Sequence, residues 1–211
     1  MRILVTAGPT REPLDPVRFL SNRSSGKMGY AVAAVAKERG HEVLLISGPV
    51  AIEPPDVKVI QIMTAEEMLD AVEKNIEWCD ALVMAAAVAD WRPAMISKSK
   101  IKKKSGSDFA PTVHLERTPD ILKRVSAKKG ARVFVGFAAE TENLEEEAKR
   151  KLLEKGLDLI VANDVSATDA GFEVDDNRVI LFPKDGQPDP LPLMPKPEVA
   201  ERIIAWIEAH A

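Results

Sequence analysis

The strongest constraint on this chain is a rhythm in which short, continuous apolar runs alternate with longer stretches of helical periodicity. The apolar runs fall at residues 3–6, 42–47, 57–62, 81–85, 132–137 and 157–162. Several lack the in–out alternation of a half-exposed strand, as expected for parallel strands buried on both faces. Helices are expected between them, at 27–39, 65–75, 119–127, 143–155 and 197–209. Their ends carry matching signals. Thr64 with Glu67, and Asn143 with Glu146, can form capping boxes, and Gly40 and Gly156 stand where helix C-caps are wanted. The expected fold class is α/β, a doubly wound, mostly parallel, Rossmann-like sheet that binds ligands at the carboxyl ends of its strands.

Two segments interrupt the rhythm. Residues 91–118 are extended and basic, with Lys98, Lys100, Lys102, Lys103 and Lys104, and are expected to form an extended or dimerisation excursion. Residues 171–193 place turn formers around the apolar stretch 179–182 and predict a late β-hairpin. The whole of residues 1–211 reads as one domain.

Composition narrows the function classes. A formal net charge of −4 gives no support to nucleic-acid binding, which needs a basic surface. Cys79 is the single cysteine, so no internal disulfide can form, and with three histidines it cannot build a structural zinc site. No apolar run approaches the ~20 residues of a membrane span. The expectation is a cytoplasmic protein that handles small molecules.

The chemistry concentrates in the first loop. A strand-to-helix connection of about twenty residues is long against the usual two to six, and loops of that length are commonly functional. Ser24, Ser25 and Gly26 at the helix start can offer backbone N–H groups to an anion, with Arg18, Arg23 and Lys27 nearby in sequence. An N-capped helix behind a structured loop is the plain alternative. Two familiar phosphate motifs fail. A P-loop would need glycine at 21 and Ser or Thr at 28, where the chain has Ser21 and Met28. A dinucleotide fingerprint needs Gly-x-Gly-x-x-Gly and an acid ending strand two, which here ends at Ser47, Gly48 and Pro49.

Residues 6–18 (TAGPTREPLDPVR) and 21–29 (SNRSSGKMG) closely resemble the bacterial phosphopantothenoylcysteine synthetase family. The resemblance continues through 85–92 (AAAVADWR), 100–103 (KIKK), 118–121 (TPDI), 135–141 (VGFAAET) and 162–166 (ANDVS), in order along nearly the whole chain. It implies a ligase in coenzyme A biosynthesis. The carboxylate of 4′-phosphopantothenate would attack CTP, releasing pyrophosphate, and L-cysteine would then displace CMP from the acyl-cytidylate. It also implies a divalent cation such as Mg2+, CTP as co-substrate, and a homodimer with its sites near the subunit interface. The residues themselves leave CTP and ATP open. No flavin is expected on this chain. The flavin-dependent decarboxylase half of the bifunctional proteins is absent from it, so it is either monofunctional or one domain of a fused protein.

The resemblance also implies roles. Asn22 would handle the acyl-nucleotide, its amide donating to the acyl oxygen and accepting from the amine. Arg18 would contact substrate phosphate or carboxylate, and Ala87 would line the substrate pocket. Lys100 would offset charge on the leaving pyrophosphate. Nucleotide contacts are implied for Met84, Ala85, Ala86, Asp90, Lys100, Pro119, Asp120, Ile121, Leu122, Phe137, Lys151 and Lys155, with Asp90 also the metal carboxylate. Phe137 alone would read as core. At about 100° per residue, Lys151 and Lys155 fall within about 20° of Leu144, on the helix's apolar stripe. That helix should run away from the strand ends, however, so its last turn is expected to be remote from a ligand there. A nicotinamide oxidoreductase and a nucleotide-sensing module that binds without turnover are the competing readings.

Overall fold

The computed structural model describes residues 1–102, 112–140, 144–164 and 174–211. Strand β1 (Arg2–Ala7) leads into the long connection, which carries the short antiparallel pair β2 (Arg11–Pro13) and β3 (Phe19–Ser21). Then come α1 (Lys27–Glu38), β4 (Glu42–Ser47), β5 (Lys58–Gln61), α2 (Ala65–Asn75) and β6 (Ala81–Met84). A second antiparallel pair, β7 (Trp91–Pro93) with β8 (Leu115–Arg117), brackets the basic excursion. It is followed by α3 (Ile121–Ser126), β9 (Val133–Glu140), α4 (Leu144–Glu154) and β10 (Leu159–Asp164). The C-terminal part holds β11 (Asp176–Asn177), β12 (Val179–Pro183), β13 (Asp189–Pro190), β14 (Met194–Pro195) and α5 (Lys196–His210).

The main sheet has the order β13-β12-β10-β9-β6-β1-β4-β5. Strands β10 to β5 are parallel, and β12 and β13 add an antiparallel edge that forms the expected hairpin. The strand order reverses between β1 and β6, and this switch point is where such sheets bind ligands. Alternate residues of each strand face opposite layers. Ile3, Val5, Val83 and Val135 pack with Val32 and Val35 of α1 and Ile203 and Ile207 of α5. Leu4, Leu82, Phe134 and Ile160 pack with Met68 of α2, Val125 of α3 and Leu152 of α4. Burial on both faces explains why the strands read as unbroken apolar runs. Among the described residues no helix is long and apolar enough to cross a membrane.

Several boundaries differ from the expectation. The helix expected over 119–127 starts only at Ile121, because Asp120 caps it by accepting a bond from the Lys123 N–H at 3.1 Å. The Thr64–Glu67 capping box is present, whereas Asn143 of the second box lies outside the described residues. The strand expected to end at 137 continues to Glu140. Its last residues, Ala138 and Ala139, are poor strand formers, but they pair in register with Ala162 and Asn163 of β10, and that ladder overrides propensity.

The extension steps the sheet's edge. Met84, the last residue of β6, is level with Gly136, so β9 overruns its neighbour from Phe137 to Glu140. Helix α4 follows that raised edge, packs on β9 and β10, and is 11 residues long. At about 1.5 Å per residue this is roughly 16 Å, the length of about five strand residues. A helix of that length spans the step, and its last turn does share a cavity with Met84 at the carboxyl end of β6. The expectation that the end of α4 would be remote from a ligand assumed a flat edge, and the stepped edge corrects it.

Candidate active site

Two loops leave the switch point and are stitched together. The Ala87 N–H donates to the Gly8 carbonyl at 2.9 Å, and the Thr10 N–H donates to the Ala87 carbonyl at 3.3 Å. Buried Thr6 and Thr10 accept from the Ala86 and Ala89 N–H groups at 3.2 and 2.9 Å. Asn22 completes the seam. Its Nδ2 donates to the Val88 carbonyl at 2.9 Å and to the Ala87 carbonyl at 3.5 Å. The amide is thereby fixed at the gap between β1 and β6.

Beside Asn22, α1 begins at Gly26, which has φ 78° and lacks a side-chain cap. A helix start of this kind favours negative charge. It opens on a cavity of ≈ 900 Å³. Asn22, Met84, Ala85, Ala86, Ala87, Asp90, Pro119, Asp120, Ile121, Leu122, Phe137, Lys151 and Lys155 all line this cavity. Segments far apart in sequence thus converge. Phe137 is both wall and core, half-buried and packed against the α1–α5 layer. On the opposite wall Lys155 forms an ion pair with Asp120. Lys151 and Lys155 reach this cavity from the end of α4, beside the overrunning strand β9.

Arg18 and Lys100 are not among the lining residues. The Arg18 guanidinium bonds Asp15 in a fork, Nε at 3.0 Å and Nη2 at 2.5 Å, and also donates to the Ile101 carbonyl at 2.7 Å. This guanidinium, helped by three backbone N–H groups, holds the Asp15 carboxyl far below the usual carboxylate range. Lys100 is exposed on the excursion tied down by these bonds, since the Ile101 N–H also donates to Asp15 at 3.0 Å. Lys102 is exposed too, and Lys103 and Lys104 lie outside the described residues.

Sequence reasoning missed part of the wall. Asn163, Asn177 and Lys196 line the cavity, each at least nine-tenths buried. Asn163 lies in the 162–166 motif, which gave a signal without a role. Asn177 and Lys196 arrive through the pairing of β11 with β14, two-residue strands with no periodic signature.

Among the described residues no group of three or more His, Cys, Asp or Glu could cage a metal. The donor set instead suits a Mg2+ ion carried by phosphates, which needs only one or two protein carboxylates, and Asp90 can supply one.

Residues 1–210 match the DNA/pantothenate metabolism flavoprotein C-terminal domain. The chain belongs to that family. It is 46% identical over 209 residues to the coenzyme A biosynthesis bifunctional protein CoaBC of Bacillus subtilis (strain 168), covering 98% of this chain and 51% of that protein. With the Escherichia coli (strain K12) CoaBC it is 50% identical over 188 residues, covering 88% and 46%. The chain therefore spans about half the length of the curated relatives it matches. Among solved structures, the crystal structure of a CoaBC C-terminal domain superposes with a TM-score of 0.84 at 45% identity, covering 99% of this chain and 94% of that one. A flavoprotein of the same family name from Streptococcus pneumoniae gives a TM-score of 0.85 at 26% identity, covering all of both chains. The Cab2 mutant H337A complex with phosphopantothenate-cysteine shares the fold, with a TM-score of 0.80 at 18% identity, covering 99% and 86%.

Proposed function

We propose that this family member is a CTP-dependent phosphopantothenate–cysteine ligase, forming an acyl-cytidylate and then an amide in coenzyme A biosynthesis. The observation that carries the reading is Asn22, pinned to the Val88 and Ala87 carbonyls at the sheet's switch point. An uncapped helix start lies on one side of it, and two lysines line the same cavity. The relatives named as coenzyme A biosynthesis proteins support the same reading.

The triphosphate lies against the start of α1, whose dipole offsets its charge. Phe137 and residues 119–122 hold the nucleoside, with Lys151 and Lys155 beside it. Asp90 would hold a divalent cation, which would supply neutralisation of the phosphate charge. With Nδ2 engaged by two carbonyls, Asn22 acts through its oxygen, which accepts from the incoming amine.

Arg18 and Lys100 serve the cavity of a second copy in a homodimer. Support comes from the apolar surface around them. Val17, Phe19 of β3, Trp91 of β7, Met95, Ile96 and Leu115 of β8 are all exposed, and β2, the partner of β3, contacts β7. Monomers rarely leave such patches uncovered. In this reading 91–118 is the dimerisation excursion of a single synthetase domain. The protein is cytoplasmic and is fused to, or associated with, a flavin-dependent decarboxylase.

The test is nucleotide cleavage with 4′-phosphopantothenate, with and without cysteine. Asn22→Asp turns an acceptor toward the Val88 carbonyl; the expected result is continued pyrophosphate release with slowed cysteine transfer. Mixing Asn22→Asp and Lys100→Gln chains, each impaired in overall amide formation, should restore amide formation to about a quarter of the parental rate. Half of randomly formed dimers are mixed, and each mixed dimer keeps one intact site. No cleavage of any triphosphate defeats the ligase reading, and no recovery on mixing defeats the shared site.

A further inference from the structure

We propose that one arm of this cavity, formed by Asn163, Asn177, Lys27 and Lys196, seats the amino-acid substrate. Its carboxylate would face the lysines and its amine the two amide oxygens. The inference rests on the ligase reading and assigns the substrate that this reading leaves without a site.

The first observation concerns unpaired oxygens. Among the described residues, the buried side-chain polar atoms without a hydrogen-bond partner are the Oδ1 atoms of Asn163 and Asn177. Both residues line this cavity, 8% and 4% exposed. They are neighbours, because Asn163 pairs across the ladder with Val179, two residues beyond Asn177. An unmet buried acceptor is costly and calls for a donor. Phosphate groups at neutral pH bring chiefly acceptors, whereas an α-amine brings donors.

The second observation concerns charge. Lys196 is 4% exposed and donates to the Val174 carbonyl and, at 3.3 Å, to the Asp176 carbonyl. Lys27 lines the same wall and pairs with Asp175 at 2.6 Å. Burial, and then the nearby Lys27 charge, push the Lys196 ammonium below its ordinary pKa, while Asp175 and Asp176 offset part of that effect, so the two cations share one field. A carboxylate placed between them relieves that repulsion. Acceptors beside cations on one wall complement a zwitterion, as a free amino acid is.

The chemistry follows from the shared cavity. Before attack the α-ammonium must lose a proton to solvent, a loss that neighbouring cations favour. The nitrogen lone pair then forms the C–N bond to the acyl carbon. The acyl C–O bond breaks, its electron pair leaves with the nucleoside monophosphate, and a second proton departs as the amide forms.

The test compares cysteine with cysteamine, which keeps the amine and thiol but lacks the carboxylate, using the purified chain with CTP and 4′-phosphopantothenate. Parental turnover of cysteine is the reference, and its absence refutes the ligase reading itself. Lys196→Met should lower kcat/KM for cysteine about 10–100-fold, the worth of a charged hydrogen bond. It should lower that for cysteamine far less, so the preference for cysteine collapses, and Lys196→Arg should keep most of it. Asn177→Leu should raise KM for both amines. Equal losses for both amines in Lys196→Met would mean a scaffold role through the Val174 and Asp176 carbonyls. Slower pyrophosphate release with an unchanged cysteine KM would mean that the arm holds phosphate. Either result overturns the proposal.

Discussion

Replacing Gly29 by alanine places a methyl group 2.6 Å from the Ala7 Cβ and 2.9 Å from the Thr6 carbonyl oxygen. Gly29 lies in the first turn of α1, where the helix crosses β1. Two effects oppose each other. Alanine in place of a helical glycine stabilises by about 1 kcal/mol, whereas overpacking a filled core costs about 1–3 kcal/mol. The neighbours decide which wins. Thr6 and Ala7 belong to the strand at the sheet's centre, hydrogen-bonded to β4 on one side and β6 on the other, and cannot withdraw. The helix must retreat instead, by several tenths of an ångström, and its start carries the cavity wall with it. Against a strand that cannot yield the cost falls at about 2–3 kcal/mol, so the expected net loss is about 1–2 kcal/mol, or a Tm lower by roughly 2–8 °C for a domain of this size. Urea unfolding should give a lower midpoint with an unchanged slope, since no additional surface is exposed. In the same preparation KM for the nucleotide should rise. A Gly29→Ala chain as stable as the parent, with the parental nucleotide KM, would refute the close approach as the reason for glycine.

Lys155→Met should raise the nucleotide KM about tenfold, yet alter stability by no more than about 1 kcal/mol, because its pair with Asp120 is partly exposed; an unchanged KM would remove Lys155 from the site. Glu208 predicts an acid dependence. The Arg39 guanidinium, then the His41 ring, lower its pKa to about 2 from an ordinary 4.5. Because the folded value is the depressed one, the stability contributed by this clamp between α5 and α1 is complete above 4.5. It is lost as pH falls toward 2. Glu208→Gln should therefore melt below the parent at neutral pH, with the gap closing in that window, and a gap independent of pH would contradict the assignment.

The βα rhythm was legible because parallel strands buried on both faces leave unbroken apolar runs. The short pieces were not. β2, β3, β7, β8, β11 and β14 span three residues or fewer and owe their existence to partners across a turn or a long sequence gap. At the candidate site, the motif residues of the two stitched loops and of 119–122 were legible because each motif is local, and they line one cavity. Lys196 could not be found that way. It reads as an ordinary N-terminal helix lysine, and only the pairing of Asp176 with Pro195 carries it to the cavity. Lys151 and Lys155 were legible as a facial anomaly on their helix. Their reach depended on strand lengths, which alanines at 138 and 139 concealed.

The failed dinucleotide fingerprint has a physical meaning that a linear motif cannot express. Such a fingerprint uses one glycine for the turn after β1, one for close approach at the helix start, and one for helix–strand packing. This chain meets all three geometric needs. Gly8 makes the turn with φ +73°, Gly26 opens the helix with φ +78°, and Gly29 packs on β1. A Cβ built on Gly26 would lie 3.5 Å from the Gly8 Cα, so residues eighteen apart in sequence stack as if adjacent. The last glycines keep their ordinary spacing, and only the interval after the first has been opened. What fills it is β2, β3, the buried Asp15 and, at the return, Asn22. The cradle for an anion is thus retained, while the residue proposed to meet the acyl group is delivered by the insertion. The proposed ligase chemistry thus requires no displacement of the helix or the sheet from that arrangement. Excision of residues 11–21 with a short glycine linker should accordingly spare nucleotide binding more than amide formation, and a variant that loses nucleotide binding first would contradict this division of labour.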